Sequence, residues 1–513
     1  MRQKTLIPAA ALLALALPAA AQDTEPVVED VALTVYSSAD PASFDPQQFA
    51  LQQRMGWNPM FAYQVPGFGV VKEVRRVRLP QGNGTLRFRD VAEFIDPTTV
   101  SFADPDAADA TAGLDQSFQF DLVSPAKLLE RYIDREITIV ETKKEGALDV
   151  ETRTTGTVLS ANGGQVVLRT PDGLRFVSAT SENLRLPSLP DGLITRPTLV
   201  WNVASDTAGE RRVRTTYQTG GLTWRSDYNL VLNGDDTRAD IGAWVTLMNL
   251  SGASYRNVRL KLIAGDVQRI QQQPVAATRM RGAGRKGGEA GFEEKEFFEY
   301  HLYTLPRRTD VEQNATQQIA LFPTAQDVGV EKVLVYFGVP GAQGWRFGSP
   351  HTGRDLGSGS NPKVDVYVKF RNAQDNRLGM PLPKGKVRVF KKDDADGTLE
   401  FVGEDLIDHT PRDETVLIKL GQAFDVVGER TQTDFQVDTS RKTMEETVKI
   451  QLRNHKDVAV KVIAREILFR WVSWEMLETS DPYEKQDART IHFPLEVPAR
   501  GEKTVTYRVR YTW

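Results

Sequence analysis

The chain of 513 residues carries 64 basic and 68 acidic side chains, a net charge of −4, and no cysteine. That balance gives no global electrostatic case for nucleic-acid binding, and the missing thiols exclude disulfides, cysteine catalysis and cysteine-ligated zinc. The length implies about three or four domains, each large enough to bury a core of its own.

Residues 1–21 read as a secretory signal peptide: Arg2 and Lys4 precede an apolar run over 6–17, and Ala19-Ala20-Ala21 closes it with small residues. No cysteine follows, which excludes a lipoprotein anchor. The mature chain then begins near Gln22, and losing Arg2 and Lys4 moves its net charge from −4 to −6. No other apolar run approaches the ~20 residues of a membrane helix, so the expectation is an exported protein of the periplasm, outer surface or medium, without a transmembrane anchor.

Period-two alternation dominates the rest, with turn residues at short intervals, and it predicts antiparallel sheets with one buried and one wet face. Residues 22–124 form an N-terminal β domain with strands over 70–79 and 85–91 and a short helix near 45–55. Residues 125–187 read as a small SH3-like or Sm-like barrel. In it Ser124-Pro125 starts a capped helix, and strands follow over 136–141, 157–159, 165–169 and 174–178. A proline-bounded connection over 187–197 leads to a β-sandwich over 198–430. Two polar, glycine-rich stretches, 271–293 and 348–362, are expected to be mobile. Residues 431–513 suit an immunoglobulin-like β domain. The fold class is therefore mainly β: several antiparallel sandwiches, one small barrel and few short helices.

Chemistry-bearing motifs are sparse. Gly282-x-Gly284-x-x-Gly287 matches a dinucleotide fingerprint as a string, but no strand precedes it and no helix follows, so it aims no amides at a pyrophosphate. Asp393, Asp394 and Asp396 fail the calcium-loop frame and read as a hairpin turn. Ser358 or Ser360 with His351 and Asp355 lacks a nucleophile elbow. The terminal row Tyr507, Val509, Tyr511 and Trp513 has the form of an outer-membrane barrel closing strand, although a packed sandwich explains it better. The densest polar cluster is Glu404, Asp405, Asp408 and His409. It would do acid–base work or hold a metal only if those side chains converged, and adjacent strand residues point to opposite faces. No histidine spacing suits a metal, and no cofactor is expected.

One set of blocks is more specific. Tyr217, Gly221, Leu222, Trp224, Asp227 and Tyr228 form a compact aromatic motif, followed by Trp244, then Gly265-Asp266, Pro381-Leu382-Pro383-x-Gly385, Gly403-Glu404-Asp405 and His409-Thr410-Pro411. Together they resemble the bacterial secreted family called domain of unknown function 4139, to which mucoidy-inhibitor-A-type proteins are similar. The resemblance is strong over 200–513 and looser over 33–190. It implies a β-rich envelope protein with no established reaction and some link to exopolysaccharide, and it transfers no catalytic residue. Many relatives carry a long coiled coil where this chain has the 125–187 unit. Physically, Trp224, Tyr228 and Trp244 read as core aromatics, and Asp227, Asp266 and Asp405 as residues that fix turns or accept backbone amides. The leading expectation is a non-enzymatic envelope scaffold or binding protein with a protein or polysaccharide partner; the alternative is an envelope hydrolase acting on glycan or peptide.

Overall fold

The computed structural model describes residues 26–36, 51, 65–121, 124–145, 148–162, 164–180, 182–188, 190, 193–265, 293–297, 300–393 and 395–513. The signal peptide, the 45–55 helix apart from Leu51, the stretch 271–292 with its Gly282–Gly287 string, Asp266 and Asp394 lie outside them. The molecule is mainly β, with one short α-helix among the described residues. It forms two compact units, and the 22–124 stretch contributes to both.

The first unit holds residues 26–30, Lys72–Val91 and Pro97–Thr216. In its three-stranded sheet Thr198–Ser205 lies between Gly82–Arg89 and Thr111–Gln119, antiparallel to both. Alternate residues Leu86, Phe88, Leu199 and Trp201 are buried, and Trp201 meets Phe88 edge to face at 4.9 Å. The second sheet of this unit begins with helix Pro125–Arg131, whose Ser124 hydroxyl accepts from Lys127 N at the cap, with proline in the first turn. Five strands follow: Glu136–Glu145, Leu148–Asn162, Gln165–Thr170, Gly173–Ser178 and Leu184–Arg185. Leu184–Arg185 returns to pair with Glu136–Glu145, the wrap with which a small barrel starts, but the sheet stays open among the described residues. Leu129, Tyr132, Ile139, Val158 and Leu168 give it a core of its own.

The second unit holds Val31–Val71, Ala92–Asp96 and Tyr217–Trp513. Its largest sheet runs Leu399–Ile407, Gly385–Lys392, Leu222–Leu232, Arg238–Asn249, Ala315–Tyr336, Lys363–Arg371, Thr415–Asp438, Thr443–Asn454, Glu502–Thr512, Trp474–Thr479. Two long strands give this sheet its continuity. Ala315–Tyr336 pairs first with Arg238–Asn249 and then with Lys363–Arg371 and Val460–Ile467. Thr415–Asp438 pairs first with Lys363–Arg371 and then with Thr443–Asn454. The expected division at 430/431 falls inside this strand.

At the C-terminal end two layers close over one core. Val448, Ile450, Leu452, Val505, Tyr507 and Val509 come from one layer, and Val462, Ala464, Ile491, Phe493 and Leu495 from the other. Phe493 stacks on Tyr507 at 5.7 Å between them. The apolar row of the last strand is thus buried in a sandwich. Its outward residues Arg508 and Arg510 bind Glu445.

Candidate functional site

The polar cluster singled out in the sequence does not assemble. Strand Leu399–Ile407 alternates faces. Glu404 sits with Lys386 and Arg388 of the neighbouring strand, at 3.4 and 3.7 Å. Asp405 instead accepts the backbone amides of Leu406 and Lys419, at 2.9 and 2.7 Å. Asp408 is exposed, and His409 accepts Lys384 N on Nδ1 at 3.1 Å. Glu404, Asp405 and His409 are each engaged by a different neighbour. Among the described residues no three His, Asp or Glu side chains are placed to share a metal ion.

Most of the family-like blocks meet as a packing node. Trp224 is buried, donates to Val35 O at 3.1 Å and meets Tyr303 edge to face at 6.2 Å. Tyr303 and Tyr228 donate to Pro381 O and Pro383 O, at 2.9 and 2.7 Å. Burial pushes the Tyr228 hydroxyl far above its ordinary value, so it stays protonated and donating. Gly385 lies against Ser226, where a Cβ would come within 2.3 Å of Ser226 O. Tyr217 and Leu222 are buried, Gly221 has φ +77°, and Gly265 packs on the Tyr300 ring. At Gly403 a Cβ would lie 2.4 Å from Leu420 O. Gly403 and Asp405 together therefore let Leu399–Ile407 close against Thr415–Asp438.

Two residues depart from their expected roles. Trp244 is not a core aromatic: it is 40% exposed, because Ala243, Val245 and Leu247 take the inward register of Arg238–Asn249. Asp227 fixes no turn. It lies mid-strand and buried, accepting from Thr246 Oγ1 at 2.7 Å and from Arg225 at 3.2 Å.

A different constellation is the more concentrated one, and the sequence reading missed it. Inside the C-terminal sandwich four charges occupy inward positions: Arg430 after Val426, Glu446 between Met444 and Val448, Glu466 after Val462 and Ala464, and Arg470 after Leu468. Arg430 Nε bonds both Glu466 carboxylate oxygens, at 2.9 and 3.2 Å, and Tyr507 Oη also donates to Glu466. Arg470 Nε bonds Glu446 at 2.6 Å, with its guanidinium over the Phe435 ring at 4.2 Å. Burial opposes the Arg430 charge, but Glu466, Tyr507 and Glu446 outweigh that and hold its pKa well above the usual arginine range. Burial, reinforced by Glu466, likewise pushes Tyr507 up.

Both arginines also donate to residues 348–362. Arg470 donates to the carbonyls of His351, Gly353, Arg354 and Leu356, at 3.2, 2.7, 3.4 and 3.0 Å, and Arg430 to that of Gly357 at 2.9 Å. Gly357 has φ +76°, and a Cβ there would strike the Phe469 ring at 2.5 Å. The stretch expected to be mobile is thus tied to the sandwich at five carbonyls. It builds no triad: Ser358 Oγ donates to Asp355 O, Ser360 Oγ accepts Arg430 N, and the His351 ring stacks on Phe347. A cavity of about 340 Å³ lies between this stretch and Thr415–Asp438, reaching from Arg354 to Gln432. The signal for this site was present in the sequence as charged residues in the inward register of alternating strands.

Residues 213–513 match the family model described as Domain of unknown function (DUF4139). No curated protein matches the chain.

Proposed function

From the premise that the chain belongs to the domain of unknown function 4139 family, whose description names no reaction, we propose that it is a non-enzymatic binding or scaffold protein that works outside the cytoplasm in the cell envelope. The observation that carries this reading is how the ionisable groups are used. The buried carboxylates Glu446 and Glu466 are each bonded to an arginine, and Glu404, Asp405 and His409 have separate neighbours while Asp408 is exposed. A hydrolase needs an acid and a base converging on one reacting atom. Export is the reading of residues 1–21, and a β-rich, thiol-free chain suits an oxidising compartment without relying on disulfides. The envelope partner is a protein or a polysaccharide.

The test begins with cell fractionation and the mature N-terminus, expected near Gln22. Purified mature protein is then incubated with envelope fractions of the source organism. Retention of a defined envelope component, without release of reducing ends or new amino groups, supports the proposal. Turnover that releases either product, and is lost in Glu404→Gln or Asp405→Asn, would establish the hydrolase in its place.

A further inference from the structure

We infer that strand Gly173–Ser178 is a self-association edge, through which two copies of the chain join their five-stranded sheets antiparallel about a twofold axis. The inference goes beyond the proposed function and is independent of which envelope component the protein binds.

Gly173–Ser178 is the last strand of its sheet, and among the described residues it pairs only with Gln165–Thr170. Thr170 pairs with Gly173 across the Pro171-Asp172 turn, and Ala179 N bonds Gly164 O at 2.8 Å, with no register shift between them. Antiparallel hydrogen bonding alternates along such a pair. Gly173, Arg175 and Val177 therefore bond inward, and the backbone groups of Leu174, Phe176 and Ser178 face the open edge. One of those groups is already used, because Ser178 O accepts Asn183 Nδ2 at 2.8 Å. The side chains at the same positions point away from the core, since Val177 takes the buried register. Leu174 is 61% exposed and Phe176 79%. Edges are commonly blunted by a lysine, a proline or a bulge, and this strand has none of them.

What fits this edge is a neutral strand with apolar residues at alternate positions, and the strand itself is one. Its one charge, Arg175, belongs to the opposite face and donates to Thr154 Oγ1 at 3.3 Å, so an acidic or basic peptide finds no counter-charge along the edge. Charge also chooses the register. An axis at Arg175 would set two like charges directly opposite, which is destabilising. An axis at Phe176 sets that residue opposite its own copy and Leu174 opposite Ser178. Phe176 N and O then bond their counterparts, and Ser178 N bonds Leu174 O. The paired rings are flanked by Val167, the cross-strand neighbour of Phe176 in each copy. Such an isologous ladder is short, below the about 1,200 Å² of a standard interface, so the dimer is weak and reversible.

The test follows full-length mature protein by sedimentation velocity from micromolar to near-millimolar concentration, where a reversible monomer–dimer equilibrium is expected. Phe176→Lys, which puts like charges on the axis, should weaken association by roughly tenfold. Ser178→Pro removes an edge donor without touching the ladder to Gln165–Thr170 and should weaken it as well. Phe424→Lys alters an exposed aromatic of another sheet and should change nothing. Thermal melting confirms that the variants fold. Because the chain has no cysteine, Phe176→Cys and Leu174→Cys each introduce a single thiol. On mild oxidation the first should form a disulfide dimer and the second should not, since Leu174 faces Ser178 of the other copy. A monomer at every concentration, a dimer that survives Phe176→Lys or is lost in Phe424→Lys, or crosslinking preferentially through Leu174→Cys would each overturn the inference.

Discussion

Arg430 shows what a buried charge demands of its neighbours. Its side chain is nearly inaccessible and is bonded to Glu466, with further donors on Gly357 O and near Tyr507. Attraction within such a pair offsets the cost of taking both charges out of water, so its net contribution is small, whereas removing one partner strands the other. Arg430→Met should therefore destabilise the protein by about 3–5 kcal/mol. The triple variant Arg430→Met, Glu466→Leu, Tyr507→Phe leaves no orphaned charge or hydroxyl and should recover most of that loss. Urea unfolding monitored by tryptophan fluorescence measures both. If the triple variant were as unstable as the single one, the pair would be contributing through something other than mutual neutralisation. Trp244 and Asp227 make the complementary point, since in each the residue type suggested one environment and the strand register imposed another.

At the scale of elements, alternation was a sound guide wherever a strand had one buried face. The 505–511 row, the capped helix at Ser124-Pro125 and the hairpin at Asp393–Asp396 all lie where the pattern put them. What it could not reveal was length. Ala315–Tyr336 and Thr415–Asp438 continue through Pro323, Gly329, Gly421 and Gly428, residues that read as breaks because they remove a donor or a side chain. Bulges and changes of partner absorb those interruptions in the folded sheet. The candidate site was hidden for a related reason: Arg430, Glu446, Glu466 and Arg470 look like solvated charges until their register is compared with the apolar residues two positions away. Local turns can be read more finely. Gly221 has φ +77°, and its Cβ would lie 2.7 Å from Leu250 O, while Gly220 beside it has only an ordinary contact at 3.7 Å. Gly221→Ala should cost about 1–3 kcal/mol, and Gly220→Ala no more than about 0.5 kcal/mol. Thermal melts of the two variants, compared side by side, decide whether the turn conformation or merely glycine content matters there.

For the whole molecule, the five-stranded sheet of the first unit has the attributes of an insertion. Its core is drawn from Leu129 to Val177. Its ends are clasped, because Tyr132 Oη donates to Ser188 O at 2.6 Å and accepts from Ser188 N at 3.2 Å. Just outside that clasp Ile194 N donates to Asp121 O at 3.1 Å, so the chain leaves and re-enters at nearly one point. A segment whose ends already touch can be replaced by a short linker at little cost in loop-closure entropy. Exchanging residues 122–192 for a brief glycine-serine linker should therefore leave a soluble β protein, with its main melting transition moved by no more than about 4 °C. The excised stretch 124–188 should melt cooperatively by itself, though weakly, because a domain of about 60 residues buries only about 60% of its surface. Circular dichroism of both products is the check. An aggregated deletion product would mean that the rest of the first unit needs this sheet to fold, and the module would then be an integral part of that unit.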